Sequence, residues 1–221
     1  MKRTKTAEGS VSRRQFLITG GAAAAAGGLP VLGRADQAEE KPKIKRYRTL
    51  GRTGFEVSDI SMGGAGKEAN LYRYGFDHGM NYFDTAEGYG NGDNERKIGE
   101  ALQHIDRKKV FVTTKLQIKD EDNEETILDR FGKCQERLRT DYVDALYMHS
   151  VPTVATLDHQ GFHKATARLK ADSRLRFVGV SNHGSRTEEE ESMDAVLVAA
   201  AEDGRFDLML IAYNFMNRDK G

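Results

Sequence analysis

Five positions in the 221-residue chain place polar chemistry at the ends of apolar runs. Asp84 closes the run Asn81 to Thr85. Lys115 follows Val110 to Thr114, and His149 follows Tyr142 to Met148. The pair Ser181 and Asn182 closes the run that starts at Arg176, and Tyr89 lies five residues beyond Asp84. A carboxylate, an ammonium, an imidazole and a phenol are the groups that pass protons in general acid–base catalysis. They are too far apart in sequence to form a local motif, so separate elements must gather them. Taken singly, each has a plainer use. A strand-end aspartate can cap a helix, Tyr89 can anchor its Gly-Tyr-Gly loop, Lys115 can face solvent and His149 can be packed.

The elements needed to gather them are visible in the patterning. Phe55 to Met62 reads as a first strand with a glycine exit, and Leu71, Tyr72, Gly75 and Phe76 follow at helical spacing. Asn81–Thr85 is a second strand. Ile98, Ala101, Leu102 and Ile105 recur at i, i+3, i+4 and i+7, which predicts a helix. Val110–Thr114 is a third strand. Ile127, Phe131, Cys134 and Leu138 put one stripe on a third helix, with Asp122 and Glu125 as its expected capping box. Tyr142–Met148 is the fourth strand, and Phe162, Ala165 and Leu169 mark a short helix. Arg176–Ser181 is the fifth strand. Met193, Val196, Leu197 and Ala200 form a helix closed by Gly204 and preceded by the run Glu188–Glu191, read as its solvated start. Leu208–Tyr213 is the sixth strand.

Strict alternation of strand and helix predicts an α/β fold with a parallel sheet. Two closures fit: a doubly wound sheet or a (β/α)8 TIM barrel. A doubly wound dinucleotide site would want Gly-x-Gly-x-x-Gly after the first strand. Gly63, Gly64 and Gly66 do not have that spacing. Ser61 and Glu68 likewise exclude a P-loop. Barrels place catalytic groups at the C-terminal ends of several strands. That is where Asp84, Lys115, His149 and Ser181-Asn182 fall.

Several segments in register resemble the aldo/keto reductase family. They are Thr49–Ser58, Phe76–Gly90, Asn94-Glu95, Gly99–Leu102, Val112–Lys115 and Gly179–Asn182. The resemblance runs over roughly residues 45–217. It implies a (β/α)8 barrel that moves a hydride between NADP(H), less often NAD(H), and an aldehyde, ketone or alcohol. It maps a catalytic tetrad onto Asp84, Tyr89, Lys115 and His149, and a nicotinamide-holding pair onto Ser181 and Asn182. On that mapping Tyr89 donates the proton, and Lys115 is expected to lower the phenol's pKa from about 10. Asp84 holds Lys115, and His149 binds the carbonyl oxygen. Leu210 stands where the family usually has a glutamine on the nicotinamide amide, and Asn214 is the expected substitute.

Such a barrel takes about 250 residues, and only about six of its eight βα units are recognisable. A truncated chain is therefore the expectation, with part of the cofactor grip missing. The competing functions are a non-catalytic nucleotide- or partner-binding barrel and an inactive fragment. Some exported relatives carry an iron–sulfur tail, which only a longer C-terminus could supply here.

The first 35 residues read as an address. Lys2, Arg3, Lys5, Arg13 and Arg14 precede an apolar Ala/Gly stretch, Phe16 to Leu32, and Gly33-Arg34-Ala35 offers small residues for cleavage. Ser12–Leu17 is similar to a twin-arginine (Tat) motif. The expected domains are a signal at 1–35, a charged linker at 36–45 and a partial barrel at 46–221. The Tat export machinery is an implied partner, and the implied location is periplasmic or extracytoplasmic, with no membrane span after cleavage. The whole chain balances 34 Lys+Arg against 34 Asp+Glu. Without its leader it holds 28 bases and 33 acids, a net of −5. Neither balance suits a nucleic-acid binder. One cysteine can form neither an internal disulfide nor a thiolate metal cage. His159 and His163 have helix-ligand spacing, but no third ligand is evident, so no metal site is expected.

Overall fold

The computed structural model describes residues 43–64, 68–185 and 187–213. The expected signal at 1–35, most of the expected linker and Asn214 lie outside them. The chain enters as an antiparallel hairpin, β1 (Tyr47–Thr49) with β2 (Glu56–Ser58), joined through a 3-10 turn at Gly51–Thr53. Helix α1 (Ala69–Asp77) then leads into alternating elements. These are β3 (Tyr82–Asp84), α2 (Asp93–Leu102), β4 (Phe111–Leu116), α3 (Glu124–Leu138) and β5 (Val143–Met148). They continue with α4 (Gln160–Ala171), β6 (Leu175–Asn182), α5 (Met193–Asp203) and β7 (Leu208–Ile211). Strands β3 to β7 pair in chain order, all parallel, in one curled sheet.

The sequence predicts six parallel strands, and the described residues have five. The segment expected as the first strand is divided. Glu56–Ser58 goes to the hairpin, and only Met62 bridges to Phe83 in parallel. The division has a local cause. Ser58 Oγ donates to Ile60 O at 2.7 Å, and Ser58 N donates to Asn81 Oδ1 at 2.7 Å, which turns the chain between the two parts.

Alternation along each strand sorts side chains onto two faces. Phe83, Val112, Leu116, Leu146, Met148, Val178 and Val180 pack outward against the helices. The α3 stripe Ile127, Phe131, Cys134 and Leu138 is fully buried there, as its spacing predicts. The inner face is apolar at its lower end, where Tyr82, Phe111, Ala145, Tyr147 and Leu208 meet Leu50, Phe55 and Val57 of the hairpin region. Higher on the same face stand Asp84 and Lys115.

Two helix starts differ from expectation. The capping box of α3 is Asn123 with Thr126, each side chain bonded to the other's backbone N–H. Asp122 turns back to Lys119 N and Arg130 instead. Helix α5 begins after its cap, Ser192, so Glu188–Glu191 lies in the preceding loop and not on the helix. Its end is as expected: Gly204 is left-handed at φ 75°.

Candidate active site

The structure brings Asp84, Lys115, Tyr89 and His149 together at the C-terminal ends of β3, β4 and β5. In-register pairing does the first part of this work. Asp84 sits opposite Thr113, and Lys115 lies two residues on, pointing to the same face. Lys115 is fully buried and donates from Nζ to Asp84 Oδ2 at 2.6 Å and to Thr85 O at 2.8 Å. The other carboxylate oxygen, Asp84 Oδ1, accepts from Thr113 Oγ1 at 2.8 Å. Burial pulls the Lys115 ammonium below its ordinary value, and the Asp84 charge opposes that shift.

Tyr89 comes from the loop between β3 and α2. Its ring lies 4.9 Å from Lys115 Nζ and meets His149 edge-on at 5.7 Å between centroids. Gly64 makes room for the ring. A Cβ there would come within 2.2 Å of Tyr89 Cδ2, so only glycine fits. The expected downward shift of the phenol is not what the structure gives. Burial, and then the Asp84 charge, push the Tyr89 pKa up. The phenol therefore stays protonated, as a loaded donor, at neutral pH. His149 is pulled down to about 4 by burial, then by Lys115 and His183. Its ring is neutral at pH 7, with one N–H to donate.

Ser181 and Asn182 lie side by side at the end of β6. Ser181 Oγ accepts from Ser150 N at 3.0 Å and donates to Met148 O at 3.3 Å, tying β6 to the end of β5. Asn182 Nδ2 donates to Val151 O at 2.8 Å, and its Oδ1 accepts from Gly184 N at 2.6 Å. A primary amide has two N–H donors and two lone pairs on oxygen. Among the described residues these bonds leave Asn182 one N–H and one lone pair, which fits a ligand amide such as the nicotinamide end of a dinucleotide. A cavity of about 280 Å³ opens here, lined by His149, Asn182, His183, Gln117, Ile118 and Glu190 among others.

His159 and His163 serve the fold. His159 Nδ1 accepts from Phe162 N at the start of α4, and His163 Nε2 contacts Leu157 O at 2.7 Å. Among the described residues no group of three His, Cys, Asp or Glu side chains could hold a metal, and no helix is long and apolar enough to cross a membrane. The site also includes residues that strand-end reading missed: Thr113 on Asp84, and Glu87 in the Tyr89 loop. Glu87 was legible only as part of the Asp84–Gly90 segment.

Residues 65–220 match the aldo/keto reductase family. The chain belongs to that family. Its five parallel strands and intervening helices are part of a (β/α)8 barrel. A thermostable aldo-keto reductase crystallised with the inhibitor epalrestat superposes with a TM-score of 0.62 at 25% identity, over 79% of this chain and 65% of that one. An aldo-keto reductase from Klebsiella pneumoniae in complex with NADPH gives 0.53 at 26% identity, over 64% of this chain and 51% of that one. A probable aldo-keto reductase of Glycine max is 29% identical over 153 residues, 60% of this chain and 43% of that protein. The chain spans about half the length of the curated relatives it matches.

Proposed function

We propose that this aldo/keto reductase chain carries the proton-transfer half of an oxidoreductase that uses NADP(H), less often NAD(H), and acts on an aldehyde or ketone, or on the alcohol in reverse. The observation that carries the reading is the fully buried Lys115 ammonium, paired with Asp84 beneath Tyr89 and beside His149. A buried ammonium costs stability unless it is paired. A barrel that only bound a partner would have no use for one at its mouth.

The cofactor supplies the hydride when bound. Every other step belongs to the chain's own residues. Tyr89 Oη gives its proton to the carbonyl oxygen as charge develops there. The Lys115 ammonium stabilises the phenolate that remains, and Asp84 keeps Lys115 in place. Neutral His149 directs its N–H at the same oxygen and orients the substrate. Asn182 holds the nicotinamide amide with its spare N–H and lone pair. Ser181 keeps Asn182 level with His149, and Asn214 is assigned the place of the family's glutamine. General acid assistance of this kind is worth ~10²–10⁴-fold.

The same reading assigns residues 1–35 to a twin-arginine signal, 36–45 to a linker and 46–221 to barrel. The work is then done in the periplasm or another extracytoplasmic space, by a protein folded before export. Titrating NADPH fluorescence with the chain, followed by turnover of a panel of aldehydes and ketones, tests the function. Binding in the micromolar range with oxidation of NADPH is expected. Neither binding nor turnover at high micromolar NADPH overturns it.

A further inference from the structure

Tyr89 stands on a loop, residues 85–92, and not on a strand or helix, so something else must fix its ring over Lys115. Besides Lys115, which donates to Thr85 O at its start, a side chain that reaches this loop from outside is Arg130, on α3. Its Nε donates to Glu87 Oε2 at 3.1 Å, and its Nη2 donates to Glu87 Oε1. The same Nη2 donates to Gln117 O at 2.7 Å, and Nη1 donates to Asp122 Oδ2 at 2.6 Å. The loop is drawn in from its backbone as well. Glu87 N donates to Lys115 O at 3.1 Å, and Gln117 N donates to Glu87 Oε1 at 3.2 Å. One planar guanidinium thus joins the loop that carries Tyr89 to the segment after β4, which lines the cavity beside His149. All three charged groups are largely shielded, with 20–22% exposure at Arg130 and Glu87 and 8% at Asp122. Salt therefore screens them less than it would surface pairs.

We propose that Arg130 is a positioning residue: its fork grips Glu87, and that grip sets the Tyr89 phenol over Lys115 and against His149. The inference rests on Tyr89 being the proton donor. Arg130 itself bonds to Glu87, Asp122 and Gln117 and does not line the cavity. The fork matters as well as the charge, because a lysine ammonium cannot take two carboxylate oxygens in one plane. Removing it leaves Glu87 and Asp122 facing each other without a shared cation, and the loop is then free to shift.

The test uses the full chain with Arg130→Met, Arg130→Lys and Glu87→Gln, and two readouts. The first is amide hydrogen exchange without cofactor. In Arg130→Met, peptides covering 85–92 and 117–122 should exchange about 10-fold faster or more, while 143–148 and 175–182 keep their wild-type protection, as a local opening requires. The second is steady-state reduction of a carbonyl that the wild type turns over. kcat should fall on the order of 10–100-fold, because displacing a reacting group by about 1 Å costs that much, while KM stays within about 3-fold. Arg130→Lys should recover only a minor part of the loss, and Glu87→Gln should show the same loss in milder form. If Arg130→Met does not fold, Glu87→Gln carries both readouts. Unchanged exchange in both segments overturns the grip. Faster exchange with kcat within 2-fold of wild type overturns the positioning role. A wild type that reduces no carbonyl contradicts the functional reading instead, and the exchange readout still decides the grip.

Discussion

Asp84 accepts from two donors on the neighbouring strand, and each fixes one carboxylate oxygen. Thr113→Val removes the donor to Oδ1 with almost no change of shape. It also takes from Tyr82 a hydroxyl neighbour that lowers the phenol's pKa against the larger rise caused by burial. Leaving a carboxylate oxygen short of a donor costs about 1–3 kcal/mol. A urea midpoint lowered to match is the expected result, and an unchanged midpoint would contradict it. His149 makes a prediction in pH. Its folded pKa is about 4, against about 6.5 for an unfolded histidine. The unfolded chain therefore binds the extra proton, so stability falls as pH drops from about 6.5 toward 4. His149→Asn should flatten that limb of a plot of urea midpoint against pH. His163, also held below its ordinary value, leaves a residual slope. The residues at this mouth were legible because each polar type breaks an apolar run at a strand end. The direction of the Tyr89 shift was not. It depends on how much water the fold removes from the ring and on the distance to Asp84, and neither is written in residue spacing. Arg130 was hidden for a related reason: it lies 43 residues from Glu87, inside an otherwise ordinary helical pattern.

At the scale of elements, Glu95 is the joint between layers. It is fully buried on α2, accepts from Thr114 Oγ1 of β4 at 2.6 Å and pairs with Arg137 Nε of α3 at 2.5 Å. Removing one partner of a buried pair costs about 3–5 kcal/mol. Glu95→Ala should therefore destabilise the chain by a few kcal/mol in chemical denaturation, and a loss below 1 kcal/mol would show that the joint carries little. Asn123→Ala takes away the cap of α3 and should cost about 1 kcal/mol, read from the same curves. Helix faces and most strands were readable because their periods, 3.6 and 2, mark the buried side directly. The Phe55 to Met62 segment was misread because period shows which side is buried and says nothing about which strand is the partner. Phe55 and Val57 do turn inward, but from the antiparallel hairpin, and Ile60 is exposed. The α3 cap was misplaced by one residue because Asp122, Asn123, Glu125 and Thr126 all offer suitable oxygens. Only the backbone angles at Asn123, φ −123° and ψ 179°, choose among them.

For the whole molecule, the neutral charge balance joins a basic N-terminal stretch, residues 1–35, to a mildly acidic remainder. If that stretch is a twin-arginine signal, Arg13→Lys/Arg14→Lys should keep the protein in the cytoplasm of a bacterial host. The wild type should appear in the periplasm beginning at Asp36, read by fractionation and N-terminal sequencing. Equal distribution of the two forms would contradict export by that route. The barrel layout was legible because alternating strands and helices leave few topologies, and catalytic groups at strand ends favour one of them. Which carbonyl compound enters was not legible, because the cavity is walled by loop residues such as Gln117, Ile118, His183, Gly184 and Glu190, whose arrangement no periodicity encodes. The account stands on Tyr89 as the proton donor, and Tyr89→Phe removes one oxygen and little else. Single-turnover oxidation of bound NADPH by a carbonyl substrate is the most direct measurement. The account predicts a rate lower by ~10²–10⁴-fold with NADPH affinity unchanged. A Tyr89→Phe chain that oxidises bound NADPH as fast as wild type would contradict it.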